Sequence, residues 1–203
     1  MTAPRRQGRP PSMENPRGRI LDEAAALFAR DGYDGASLGT LAEAVGVTKA
    51  AIYHYFPGKQ DIYEAIIVQT LEGLLDHVRP AVAAAPDPRA ALAGFMRAHA
   101  EYFEAHFDSF ATMLVGYGGM RNRVPIEQAQ TLRRDYESLL RDLIARGVAQ
   151  GTFRDLDPAV TARAVLSMLN WMVRWFRPGE GRKAGDVAQD YCDLIRRGMD
   201  AAP

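Results

Sequence analysis

Between residues 17 and 199 the apolar positions recur at three- and four-residue spacing, the mark of helices that each bury one stripe. Ile20, Ala24, Leu27 and Phe28 define the first, and Gly32 stands where a C-terminal cap is expected. Ser37 caps a short second helix through Leu38, Leu41 and Val45, which Gly46 ends. Thr48 caps a third, Lys49 to Phe56, stopped by Pro57-Gly58. Lys59 opens a long fourth helix with Ile62, Ile66, Leu71, Leu74, Leu75 and Val78, and Pro80 marks its expected end. Asp87-Pro88 starts a fifth reaching about His106, and Asp108 or Ser109 a sixth ending near Gly118-Gly119. Pro125 opens a seventh, closed by Gly151, with Leu132, Tyr136, Leu139, Leu140, Leu143, Ile144 and Val148 on a broad face. Asp157-Pro158 opens an eighth, expected to run to Phe176 before Pro178-Gly179, and a ninth spans about Lys183 to Met199. No strand alternation and no internal repeat is found. The pattern predicts an all-α fold of about nine helices: three short, one linking, and five forming a second bundle.

Composition changes this picture little, and charge distribution changes it more. With 47% apolar residues over 203 positions, a full core needs no covalent staples. Lys and Arg number 25 against 25 Asp and Glu, so overall charge selects no class of partner. Residues 1–19, however, hold Arg5, Arg6, Arg9, Arg17 and Arg19 against Glu14 alone. Residues 1–16 are read as a disordered basic arm, which either grips a polyanion or serves as a solvated tail. A lone cysteine, Cys192, excludes an internal disulfide. No signal-peptide pattern or membrane-length apolar run is found, so a soluble, cytoplasmic protein is expected.

The informative segment is 37–59. Two short helices meet at Gly46, and the second begins at a capping threonine, the layout of a helix-turn-helix whose second helix enters the major groove. Ala42 lets the helices approach, Gly46 can take positive φ, and Val47 can plug the gap between them. Ile52 and Phe56 should face the core. Ala50 and Ala51 are small enough for the helix to lie deep and touch thymine methyls. Lys49 lies within reach of a base edge or phosphate. Thr48 and Ser37, at helix starts, can donate to phosphates, and Lys59 at the start of the fourth helix adds charge to free N–H groups.

The run Val47-Thr48-Lys49-Ala50-Ala51-Ile52-Tyr53-His54-Tyr55-Phe56-Pro57-Gly58-Lys59 resembles the recognition-helix signature of TetR-family regulators. Ile20-Leu21-Asp22-Glu23-Ala24-Ala25-Ala26-Leu27-Phe28 with Gly32-Tyr33 is similar to that family's first helix, so the likeness covers about residues 17–66. Gly39 departs from the bulkier residues usual on the second helix. The resemblance implies that Tyr53 and His54 contact phosphates. It also implies three segments: an arm at 1–16, a helix-turn-helix DNA-binding domain at 17–60, and a ligand-binding and dimerisation domain at 61–203. The last two helices resemble the family's dimerising pair, so a homodimer on a near-palindromic double-stranded operator is expected.

Past residue 80 no catalytic constellation or cofactor motif emerges, and neither an enzyme nor a metal site is expected; His99 and His106 are read as surface or packed side chains. Asn170-Trp171-Met172-Val173-Arg174-Trp175-Phe176-Arg177-Pro178-Gly179 resembles a Trp-and-Arg run in acyl-CoA-responsive members of the family. Trp171 and Trp175, four apart, would share one helix face, turned either to a partner subunit or to a ligand. Arg174 or Arg177 would meet CoA phosphates, or would simply favour the helix C-terminal dipole. The expected effector cavity draws on Tyr102, Phe103, Phe110, Met113, Leu114, Tyr117, Trp171, Arg174 and Trp175, and Phe107 and Met120 would suit it too. The expectation is a repressor released by a hydrophobic effector, an acyl-CoA or, in the alternative, an aromatic or drug-like molecule as in efflux and detoxification control. A helical ligand-binding dimer without DNA binding is the remoter alternative.

Overall fold

The computed structural model describes residues 15–115 and 127–200. Among them are nine α-helices: α1 Pro16–Gly35, α2 Leu38–Val45, α3 Lys49–Tyr55, α4 Lys59–Ala83, α5 Pro88–Ala105, α6 Phe107–Val115, α7 Glu127–Ala149, α8 Pro158–Trp171 and α9 Ala184–Met199. The sole extended pairing among the described residues is a single bridge between Phe153 and Asp200.

Helix starts lie where cap chemistry puts them. Ser37 Oγ accepts from Thr40 N–H, Thr48 Oγ1 from Ala51 N–H, and Asp87 Oδ1 from Ala90 N–H. Asp157 Oδ1 accepts from both Ala159 and Val160. Each cap satisfies donors that the first helical turn cannot pair internally, worth about 1 kcal/mol. Gly32 adopts φ 73° and breaks the regular winding of α1, so Tyr33–Gly35 form a separate final turn. Gly46, at φ 77°, makes the tight exit from α2 that turns the chain into α3.

Two helix ends differ from the sequence expectation. α4 runs through Pro80 to Ala83 instead of stopping. Pro80 is exposed, and the continuing turn packs on α5, where a methyl at Gly94 would stand 3.2 Å from the Ala81 carbonyl oxygen. That close helix–helix contact outweighs the missing N–H. α8 ends at Trp171, short of Phe176, and Met172–Arg174 wind into a 3-10 turn. Met172, Val173 and Phe176 are buried there, so the tighter turn inserts three apolar side chains into the core. The expected end of α6 at Gly118-Gly119 and start of α7 at Pro125 lie outside the described residues.

The core is continuous from α1 to α9. α4 touches α1 at one end and α5, α6 and α7 along its length, so it belongs to both halves of the molecule. α6 is fastened to α1 and α4 by buried polar bonds: Thr112 Oγ1 donates to the Ala25 carbonyl at 3.0 Å, and Tyr63 Oη of α4 donates to the Thr112 carbonyl at 3.1 Å. Phe28, Tyr33 and Tyr63 form an aromatic knot beside them, with ring centres 5.2–5.8 Å apart. The C-terminal turn is tied back on the α7–α8 loop. Arg154 N–H donates to the Met199 carbonyl at 2.8 Å, and Arg89 pairs with Asp200 at 3.0 Å.

Candidate nucleic-acid interface and effector cavity

Ile52 is fully buried and Phe56 nearly so, and together they fix α3 to the small N-terminal core. That anchoring turns the opposite face of a seven-residue helix outward. Lys49, Ala50, Tyr53 and His54 are exposed and Ala51 is half-exposed. Tyr53 shows 49% of its surface although it is large and aromatic. His54 stacks edge-on against Tyr55, with ring centres 5.1 Å apart. Ser37 and Thr48 are exposed at the starts of α2 and α3, on the two helices that make the turn. An exposed helix with small residues at its start, flanked by polar caps and a lysine-bearing edge, has the shape and chemistry to enter a groove.

Lys59, expected to meet a phosphate, is held within the protomer. Its ammonium donates to the Tyr33 carbonyl at 2.6 Å and the Ala36 carbonyl at 2.9 Å, and lies 4.4 Å from the centre of the Tyr33 ring. The charge is spent on the orphan carbonyls at the end of α1, which have no helical partners. Lys59 therefore clamps α4 to α1. The start of α4 beside it is capped by Gly58, which offers the first-turn N–H groups no side-chain acceptor.

In the larger bundle a cavity of about 200 Å³ opens between α4, α5, α6, α7 and α8. Of the expected effector residues, Met113 and Leu114 line it. The other described ones lie elsewhere. Phe103 and Phe110 are buried and packed edge to face, with ring centres 5.5 Å apart, as part of the solid core. Tyr102 faces a small hollow of about 60 Å³ with Asp22, Thr70 and His106, stacking on the His106 ring at 4.2 Å. Burial pushes the Tyr102 phenol up, with Asp76 adding to it, and pushes His106 down. Trp171 and Trp175 are 64% and 47% exposed on the protomer surface, because the 3-10 turn sends their neighbours inward instead. Tyr117 and Met120 lie outside the described residues.

The cavity wall holds residues that the sequence reading assigned no role there: Leu71, Leu74, His99, Tyr136, Leu166 and Asn170. A signal for His99 existed. Phe95, His99 and Phe103 recur every four residues along the buried face of α5, which sets an imidazole in the core. His99 Nδ1 lies 2.8 Å from Tyr136 Oη, while Nε2 has no hydrogen-bond partner among the described residues. Burial pushes the His99 ring down to about 3 and holds the Tyr136 phenol well above its usual range.

Arg174 borders a second recess, a groove of about 400 Å³ between α1, α6 and the turn after α8. Arg30, Arg174 and Arg177, with the carboxylate of Asp108 among them, rim it over an apolar floor of Ala26, Ala29, Phe107, Ala111 and Val173. Arg30 is paired with Asp31 at 2.8 Å, Arg177 donates to the Phe176 carbonyl, and the Arg174 guanidinium lies 5.7 Å from the centre of the Trp171 ring. Among the described residues no cluster of three or more His, Cys, Asp or Glu side chains could hold a metal ion, and no helix is long and apolar enough to cross a membrane. His99 and His106 do not converge. Cys192 is buried, and burial pushes its thiol up.

Residues 20–66 match the family model described as bacterial regulatory proteins, tetR family, and residues 85–199 match the tetracyclin repressor-like C-terminal domain. The HTH-type transcriptional repressor KstR2 of Rhodococcus jostii is 27% identical over 187 residues, covering 90% of each chain. The TetR-family transcriptional regulator PfmR from Thermus thermophilus superposes with a TM-score of 0.81 at 46% identity, over 88% of this chain and 97% of that one. AibR, solved in complex with isovaleryl coenzyme A and operator DNA, shares the fold with a TM-score of 0.77 at 24% identity, over 89% and 97% of the two chains.

Proposed function

The chain belongs to the tetR family of bacterial regulatory proteins, a DNA-binding transcription regulator, and from that premise we propose that it is a homodimeric repressor released from its operator by a small hydrophobic effector. The observation that supports DNA binding most directly is the outward face of α3, with Lys49, Ala50, Tyr53 and His54 exposed opposite the buried Ile52 and Phe56. Thr48 and Ser37, with Tyr53 and His54, meet phosphates, while Lys49, Ala50 and Ala51 lie against base edges. Lys59 acts indirectly, by holding the α4 N-terminus where its N–H groups meet a phosphate. Few of these side chains read bases, so DNA shape and the arginine arm supply part of the specificity.

Dimerisation uses α8 and α9. Val160, Trp171, Trp175 and Leu194 are exposed large apolar side chains on or beside these two helices. A second copy covering them would form a four-helix bundle and set two α3 helices about 34 Å apart, one turn of DNA. We place both tryptophans at that interface and not in the cavity.

Acyl-CoA is the favoured effector. The apolar cavity suits a short acyl group, and the arginine-rimmed groove suits phosphates. AibR, of the same fold, was solved with isovaleryl coenzyme A bound, which supports an acyl-CoA as a ligand of this fold. The soft, apolar wall of Leu71, Leu74, Met113 and Leu166 favours a second reading, an aromatic or drug-like effector held in the cavity alone. Either ligand acts only by binding better to a dimer whose heads are set differently, and a complete switch needs about 5.5 kcal/mol of that preference.

A gel-shift titration on the DNA upstream of the protein's own gene tests the reading. It predicts a specific complex that weakens steeply with salt and is dissolved by isovaleryl-CoA or a longer acyl-CoA. A DNA affinity indifferent to sequence and salt would refute it. Dissolution by an aromatic compound and not by acyl-CoA would select the second reading.

A further inference from the structure

We infer that the Nε2–H of His99 is the hydrogen-bond donor with which the cavity recognises a neutral, carbonyl-type oxygen on an otherwise apolar effector. The inference rests on the cavity being the effector site and adds which chemical group it selects.

The proton inventory fixes the donor. His99 is 1% exposed and Tyr136 6% exposed, and both line the cavity. Tyr136 Oη has a single hydrogen, and its partner is His99 Nδ1 at 2.8 Å. A buried hydroxyl places its hydrogen on an available acceptor, so Nδ1 accepts from the phenol. The imidazole proton must then sit on Nε2, the tautomer being set by the bond at the other nitrogen. Nε2 meets no acceptor among the described residues. A desolvated N–H in that position favours an occupant that brings an oxygen and disfavours one that does not.

The charge state fixes the kind of oxygen. Because burial holds the ring neutral across the physiological range, His99 supplies no cation to offset a carboxylate. Arg133 and Glu137 also border the cavity, but each is already engaged, Glu137 with Arg163 at 3.2 Å. A ketone, ester or thioester oxygen matches a neutral donor without stranding a charge. Leu71, Leu74, Met113, Leu114 and Leu166 make the rest of the wall hydrocarbon except for the Asn170 amide, and a ketone preference that survives loss of the His99 ring would point to that amide instead.

The test compares cyclohexanone with methylenecyclohexane, which differ by an oxygen against a CH₂ of the same shape, binding to the full-length protein. Imidazole ¹H–¹⁵N correlation spectra report the site. The inference expects His99 in the Nε2–H form, a shift of that signal with the ketone, and about tenfold tighter binding of the ketone than of the hydrocarbon. His99→Phe should bring the two affinities together. Tyr136→Phe, which keeps His99 and the cavity shape but frees the tautomer, should narrow the ratio, and it serves if His99→Phe does not fold. Equal affinities in the wild type, a preference that survives His99→Phe, an Nδ1–H tautomer, or a His99 signal unmoved by the ketone (an internal water only) would each overturn it. If both compounds bind equally, this inference falls and the cavity reading stands. If neither binds, both fall, while the DNA-binding reading is judged separately by the gel shift.

Discussion

The Lys59 ammonium sits 2.6 Å from the carbonyl oxygen of Tyr33, twenty-six residues earlier in the chain, and lies against the same residue's ring. One side chain thus joins the end of α1 to the start of α4. Lys59→Ala strands two carbonyls and removes the cation–π contact, at about 2 kcal/mol. Melting should fall by about 4–8 °C in a chain of this size. The salt dependence of operator binding separates this role from a phosphate contact. An internal clamp leaves the slope nearly unchanged, whereas a lost phosphate contact lowers it by about 0.9.

Lys49 and Tyr53 occupy different parts of the exposed face of α3, so their removal should read differently. Tyr53→Ala should weaken binding to operator and unrelated DNA alike. Lys49→Ala should change which base is preferred at one position of each half-site. Binding to a library of single-base operator variants checks both, and an unaltered preference would remove Lys49 from base readout.

The two tryptophans of the chain are both exposed on the protomer, at 64% and 47%. If they lie in the subunit interface, their emission should shift to shorter wavelength as dilute protein is concentrated. Trp171→Arg should yield monomers in sedimentation and lose operator binding, while the melting of the isolated protomer changes little. A Trp171→Arg dimer would place the interface elsewhere.

His99 is held at about 3 by burial against an ordinary value of 6.5. A lowered folded-state value means that the unfolded chain binds the extra proton first as pH falls. Stability from this group is therefore intact above about pH 6.5 and is lost as pH drops toward 3, by about 1.4 kcal/mol per unit. Urea unfolding at fixed protein concentration should show His99→Phe losing less stability than wild type between pH 6 and pH 4, by roughly 2–3 kcal/mol. Parallel curves would show that the ring is not desolvated.

A methyl group on Gly147 would overlap the Phe153 ring, which lies across α7 at that point. Gly147→Ala should cost about 1–3 kcal/mol despite improving helix propensity. Phe153→Leu in the same chain should recover part of the loss, and thermal unfolding of the single and double variants checks the coupling.

What could be read in the sequence was local. Ser37, Thr48, Asp87 and Asp157 all cap helices, because a cap is decided within three residues of itself. The turn at Gly46 and the inward Ile52 and Phe56 were legible for the same reason. The direction of Lys59 was not, since its acceptors lie in another helix. Pro80 kept its place inside α4 only because α5 packs against that turn. The Trp171 and Trp175 spacing suggested one continuous helix, and the burial of Met172, Val173 and Phe176 broke it. The His99–Tyr136 pair spans two helices and 37 positions, beyond the reach of any periodic pattern.

α4 contributes Leu71 and Leu74 to the cavity wall and Lys59 to the edge of the DNA-binding half, all on one unbroken rod. Leu71 and Lys59 are separated by about 18 Å along its axis at 1.5 Å per residue. A tilt of roughly 10° pivoting at the cavity would carry the far end through an arc of about 3 Å, the full length of a hydrogen bond. The lever is long enough that an occupant need only lean on one wall by a fraction of that distance. Deregulated variants should then cluster along the stretch of this rod between the cavity and the DNA-binding half, touching neither bound molecule.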